Sequence, residues 1–274
     1  MTFRTATRHE MDLILSWAAE EGWNPGLEDA GAFYDSDPQG FFVAEVNGAP
    51  VAAISVVNHD PANAFLGLYI CRPEWRGQGI GFALWTHAIR HAGPRSIGLD
   101  GVAAQQANYA KSGFALIGAT QRWEGELAAK GDAAVRIRRD EDLPRLFELD
   151  RVANGYDRPA FLRAWLARAE TRQTYVLSDG VIAGFATARR CRNGCKIGPI
   201  IAPDSETALV LARAALHGMG ETQAIIDLPE TNEDLRRRLM AEGFVNSFTT
   251  ARMVRGPTPK TGPALQAIAT MELG

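Results

Sequence analysis

Cysteine is scarce in this chain: 3 in 274 residues, an odd number. That excludes a disulfide-stapled scaffold and fits a reducing compartment. No apolar run approaches the roughly 18 residues that a membrane helix needs. The charged residues at the N-terminus lead into no apolar segment of the export type. A cytoplasmic location with no membrane partner is therefore expected. Positive charge is not in excess either: 29 Lys and Arg stand against 32 Asp and Glu, a net charge of −3. A nucleic-acid partner is not expected on that balance. No metal is expected: Cys191 and Cys195 have no second pair and poor spacing for zinc, and His87 and His91 lack a third ligand. What is present is an ordinary globular composition, 46% hydrophobic and 22% charged, in a length that suits about two domains.

The chain repeats itself once. Phe3, Met11, Ile14 and Leu15 match Val135, Leu143, Leu146 and Phe147 at an offset of 132 residues. Phe42 to Gly48 and Tyr175 to Gly180 each read as a strand entering an Asn-Gly or Asp-Gly hairpin turn. Lys111-Ser-Gly-Phe114 matches Ala241-Glu-Gly-Phe244 at an offset of 130. A unit whose offset drifts so little predicts two copies of one fold.

Each copy reads as strand, helix, hairpin, strand, helix, strand, helix, strand. Helical apolar spacing marks residues 10–19 and 80–91, and strands are predicted at 41–46, 51–57, 65–71, 96–100 and 114–124. The fold class is α+β, a mixed and mostly antiparallel sheet flanked by helices. The expected domains are residues 1–130 and 135–256, with a tail at 257–274 that docks back on the second domain. Whether the chain is a monomer or a homodimer is left open.

The chemistry lies in Leu68-Tyr-Ile-Cys-Arg-Pro-Glu-Trp-Arg-Gly-Gln-Gly-Ile-Gly81. A strand ends, a glycine-rich loop follows, and a helix begins. Unpaired N–H groups at a helix N-terminus and close-approaching glycine backbone suit a pyrophosphate, with Arg76 as a charge-assisted partner. A dinucleotide fingerprint fits less well, because its third glycine falls at Phe82.

Arg76-Gly-Gln-Gly-Ile-Gly81 resembles the pyrophosphate loop of the GNAT superfamily of acetyl-CoA-dependent N-acetyltransferases. So does the Pro73-Glu-Trp75 lead-in, and Tyr109-Ala-Lys-Ser-Gly-Phe114 is similar to that family's Tyr-x-x-x-Gly-Phe signature. The resemblance covers roughly residues 3–128 by motif and 135–255 by element order, a tandem arrangement. It implies that Arg76, Gly77, Gln78, Gly79, Ile80 and Gly81 hold the diphosphate of acetyl-CoA. It implies that Leu68, Tyr69, Ile70 and Cys71 pair with the pantetheine arm and aim a backbone N–H at the acetyl carbonyl. Tyr109 then lies near the sulfur as proton donor to the departing thiolate. Many members carry an Asn seven residues before that Tyr, where this chain has Val102.

The proton acceptor is less legible. Residues 65–71 carry no carboxylate, so Asp100 is the leading candidate, with His59, Asp60 and Glu45 behind it. A carboxylate capping the turn at Gly101 is the competing role for Asp100. In the second copy the glycine loop becomes Glu206-Thr-Ala-Leu-Val-Leu211, and Leu239 stands where Tyr109 would be. That copy is expected to support the fold and wall the acceptor cleft. Trp17, Trp23 and Trp75 are candidates to line it. The expected activity is acetyl transfer to a primary amine of a small molecule or peptide, with a non-catalytic acetyl-CoA sensor as the alternative.

Overall fold

In the computed structural model, which describes residues 1–274, the first copy runs in the predicted order. It comprises β1 (Thr2–Thr5), α1 (Glu10–Glu20), α2 (Asp29–Ser36), β2 (Phe41–Val46), β3 (Ala49–Asn58), β4 (Asn63–Cys71), α3 (Ile80–Ala88), β5 (Ser96–Val102), α4 (Gln106–Lys111) and β6 (Ala115–Glu126). The second comprises β7 (Val135–Ile137), α5 (Leu143–Asn154), α6 (Pro159–Trp165), β8 (Arg172–Asp179), β9 (Val181–Arg190), β10 (Cys195–Ile201), α7 (Ser205–Met219), β11 (Gln223–Pro229), α8 (Glu233–Ala241) and β12 (Val245–Arg255). A short β13 (Leu265–Ala267) follows. Helices α2 and α6 are additions that the periodicity did not reveal. The β2–β3 turn puts both Asn47 and Gly48 at positive φ, 52° and 79°, the geometry that matches strand twist in a two-residue hairpin.

All strands join one sheet, and the two copies exchange their last strands. The order is β1-β2-β3-β4-β5-β12-β6-β11-β10-β9-β8-β7. Strand β6 therefore pairs with β11 of the second copy, while β12 pairs with β5 of the first. Antiparallel β6 and β12 also pair with each other, from Val245 opposite Glu124 to Val254 opposite Ala115. Neither copy's part of the sheet is complete without the other half of the chain.

One core belongs to both copies. Met11, Ile14 and Phe33 from the first pack in the same cluster as Phe161, Trp165 and Phe185 from the second and Leu273 from the tail. The Phe33 and Trp165 rings stack with centroids 5.9 Å apart. Truncating Trp165 here would cost about 3–5 kcal/mol. Two further clusters centre on the separate copies, each completed by the exchanged strand: Trp123 of β6 packs in the second copy's cluster, and Ala251 and Met253 of β12 in the first copy's.

The tail docks on both halves. Strand β13 pairs antiparallel with β10, and Ile268 N–H donates to the Asp227 carbonyl of β11 at 3.0 Å. Beyond it the chain crosses to the first copy, where the Leu273 carbonyl meets His59 Nε2 at 2.7 Å.

Candidate active site

Strands β4 and β5 pair in parallel only from Asn63–Ser96 to Leu66–Leu99. Just past that point β4 bulges, with Leu68 at φ 45° and a register shift against β3. The strands part, and a cleft of about 500 Å³ opens between them. Leu68, Tyr69, Ile70, Cys71, Arg76, Gly77, Gly79, Ile80, Gly81, Asp100 and Tyr109 all line it; of the predicted set only Gln78 does not. The Gln78 side chain turns back to the Glu74 carbonyl at 3.1 Å.

The loop before α3 is open to an anion. Gly77 and Gly79 have φ of 75° and 77°, which excludes most side chains, and no atom lies within 4 Å of where their Cβ atoms would be. No side chain caps α3, and its first turn holds no acidic residue. The N–H groups there are free for a diphosphate. The Arg76 side chain is held by Glu21 and by the Cys71 carbonyl, so it flanks the loop from one side.

Tyr109 is buried and stacked on Trp85, with centroids 5.5 Å apart. A Cβ at Gly101 would lie 2.3 Å from its ring, so glycine in β5 makes room for it. Burial, and then the neighbouring Tyr69, push the Tyr109 phenol up to about 12. Tyr69 is likewise pushed up to about 12 by burial.

Asp100, the leading candidate for proton acceptor, is already occupied. Arg252 donates to both of its oxygens, Nε to Oδ1 at 3.0 Å and Nη2 to Oδ2 at 2.6 Å. Thr120 and Thr250 hydroxyls add bonds of 2.9 and 3.1 Å. Burial nevertheless raises its carboxyl, against the pull of Arg252. The second copy repeats the arrangement: Arg122 grips Asp227 at 2.8 and 3.0 Å. A pair kept in both copies ties the exchanged strands together. Of the weaker candidates, Asp60 caps its own turn by accepting from Ala62 and Asn63 N–H at 2.7 Å, Glu45 pairs with Arg4, and His59 holds the tail.

The far wall of the cleft comes from both copies. Trp23, Arg122, Phe248, Thr250, Met271 and Glu272 line it. The Trp23 carbonyl accepts from Lys196 Nζ at 2.9 Å and Arg122 Nη1 at 3.1 Å. Trp75 also lines the cleft, whereas Trp17 belongs to the shared core. Phe248, Met271 and Glu272 were absent from the sequence-based set. No local motif marks them, since the strand exchange and the crossing tail bring them here.

The second copy's corresponding slot is closed. Strands β10 and β11 pair only at Cys195–Ala224 and Lys196–Ile225, then part as β4 and β5 do. The tail fills that gap: a Cβ at Gly198 would lie 2.2 Å from the Ile268 carbonyl oxygen. The Asp204 carboxylate caps α7, accepting from Thr207 N–H at 2.8 Å, and Glu206 occupies the first turn. An anion there meets a capped N–H and the like charges of Asp204 and Glu206. Leu239, at the Tyr109 position, is fully buried in the core.

A sheet with a bulged, parted strand pair, a glycine loop at a helix N-terminus and a tyrosine at the fork defines an acyltransferase of the coenzyme A-dependent kind. The Acetyltransferase (GNAT) family profile matches residues 8–114, and an Acetyltransferase (GNAT) domain profile matches residues 146–264. The chain belongs to the GNAT acetyltransferase family, with two such domains in tandem. It is 35% identical to the holothin acyltransferase of Pseudoalteromonas sp. (strain SANK 73390), the match covering 100% of this chain and 94% of that one. A putative acetyltransferase from Pyrococcus horikoshii has the same fold, with a TM-score of 0.83 at 21% identity over 100% of this chain and 95% of that one. A tandem GNAT protein from the clavulanic acid biosynthesis pathway gives 0.65 at 18% identity, over 94% and 99% of the two chains.

Proposed function

We propose that the chain transfers the acetyl group of acetyl-CoA to the primary amine of a small molecule, by direct attack within a ternary complex in the first copy's cleft. The observation that carries this reading is that the open glycine loop, Tyr109 and a far wall bearing Trp23 and Phe248 share one continuous cleft. Gly77 to Gly81 and the N-terminus of α3 hold the diphosphate. The freed edge of β4 from Leu68 to Cys71 receives the pantetheine arm, and its amides polarise the thioester carbonyl. A bound amine near pKa 10.4 must lose a proton to attack, which costs roughly 4–5 kcal/mol at neutral pH. Binding both reactants side by side offsets part of the barrier.

With its pKa near 12, Tyr109 stays protonated throughout the working range. Its hydroxyl stabilises the departing sulfur by hydrogen bonding and supplies its proton late. The second copy serves as scaffold, because its own slot holds β13. The similarity to a holothin acyltransferase makes holothin the first acceptor to test. The experiment is thiol release from acetyl-CoA with holothin and a panel of small amines, with product mass measured. An acetylated amine supports the proposal; coenzyme binding without release across the panel refutes it.

A further inference from the structure

Three carboxylates line the cleft: Glu21, Asp100 and Glu272. Glu21 is paired with Arg76, and Asp100 with Arg252. Glu272 has no basic side chain within ion-pair distance. Its one side-chain hydrogen bond is from the Thr270 hydroxyl, which donates to Oε2, and Oε1 is neither bonded nor fully enclosed. The residue is only 6% exposed, so this carboxyl group is withdrawn from bulk water with no cationic side chain paired to it. That arrangement is costly unless a ligand completes it.

Its position is fixed from two sides. The Glu272 carbonyl oxygen sits 2.0 Å from where a Cβ on Gly67 would be, so the tail lies directly on β4 beside the Leu68 bulge. Glycine is the only residue that admits it. The following Leu273 carbonyl is anchored by His59 at 2.7 Å. The tail thus carries an acid to the strand whose own residues 65–71 have none.

We infer that Glu272 accepts the proton of the attacking amine, an assignment that rests on the acetyl-transfer reading above. The nitrogen lone pair forms the C–N bond while its N–H proton passes to Glu272. The carbonyl reforms, and the C–S bond breaks with its electron pair leaving on sulfur. The thiolate takes a proton from Tyr109, and the proton held by Glu272 returns through solvent to the tyrosine. Amine and thioester become amide and thiol, with nothing else consumed.

The charged groups facing Glu272 come from several strands. Arg122 on β6, Arg189 on β9 and Lys196 on β10 all feel Glu272, whereas Asp227 on β11 is engaged by Arg122. His59, in the turn before β4, is held neutral by burial. Arg122 and Arg189 are already paired, with Asp227 and Asp29, and Lys196 Nζ donates to the Trp23 carbonyl, so none of these cations makes an ion pair with Glu272.

The test uses the full chain with acetyl-CoA and whichever amine the native protein acetylates, holothin first. Glu272→Gln should lower kcat about 100-fold at pH 7. Its rate should climb with pH where the native rate has levelled, and the acetyl-CoA KM should stay within about twofold. Glu272→Asp, which keeps a carboxyl group one methylene further back, should fall between the two. Native kcat and pH profile in Glu272→Gln, or a loss confined to KM, would overturn the assignment. If Glu272→Gln does not fold, a native rate in Glu272→Asp together with an unshifted pH profile overturns it equally. A native protein that turns over no amine removes the acetyl-transfer reading itself, and this assignment with it.

Discussion

Arg252 on β12 spans the exchange junction to hold both oxygens of Asp100 on β5, at 3.0 and 2.6 Å. The carboxylate side chain is completely buried, and the arginine is its only cationic contact. Removing that partner strands a charge in the sheet. Arg252→Ala should therefore lose about 3–5 kcal/mol of stability. Equilibrium urea unfolding measures it, and a loss below about 1 kcal/mol would contradict the junction role.

Tyr109→Phe keeps the stacked ring on Trp85 and deletes only the hydroxyl. A hydrogen bond to developing negative charge is worth about 1.5–3 kcal/mol, so kcat should fall roughly 10–100-fold. Coenzyme A affinity, read by calorimetry, should be nearly unchanged. Because the phenol is pushed up to about 12, no rate limb from Tyr109 should appear below pH 10.

Gly79→Ala tests the anion loop. Space is not the obstacle, since nothing lies within 4 Å of the new Cβ; the φ of 77° is. Forcing a side chain into that region costs about 1–2 kcal/mol. Relaxation of the loop should weaken coenzyme A binding about tenfold or more, with the melting temperature of the unliganded protein only slightly altered. Unchanged affinity would move the diphosphate elsewhere.

Calorimetric titration should give one coenzyme A per chain. The second slot holds β13 and Ile268, and its helix is already capped by Asp204. A stoichiometry of two would require the tail to leave β10.

His59 predicts a pH window. Desolvation by burial, and then the nearby Arg158 charge, lower its pKa from 6.5 to about 4. The unfolded chain thus binds the extra proton first, and stability rises with pH between these values. Stability from the neutral imidazole is complete above pH 6.5 and is lost as pH falls towards 4, by up to about 3 kcal/mol. Thermal melts across that range should show the slope, and His59→Gln should flatten it. The same variant should loosen the Leu273 anchor and with it the placement of Glu272.

The parts of the molecule that depend on near neighbours were legible in the sequence. The duplication, the Asn47-Gly48 hairpin, the glycine loop and Tyr109 all follow from local pattern, because positive φ, helix caps and strand alternation are set within a few residues. The strand exchange was not, because β6 and β12 carry the same pattern and either sheet accepts either strand. Only the shared core and the crossed Arg–Asp pairs choose between the arrangements. Asp100 looked like a free carboxylate because its partner lies 152 residues away. Glu272 looked like part of a docking tail because nothing local marks the place where that tail crosses β4. Sequence determined the elements and the glycine loop; which acids of the cleft are paired and which one is not was decided by contacts between distant strands, where tertiary packing alone sets the distances.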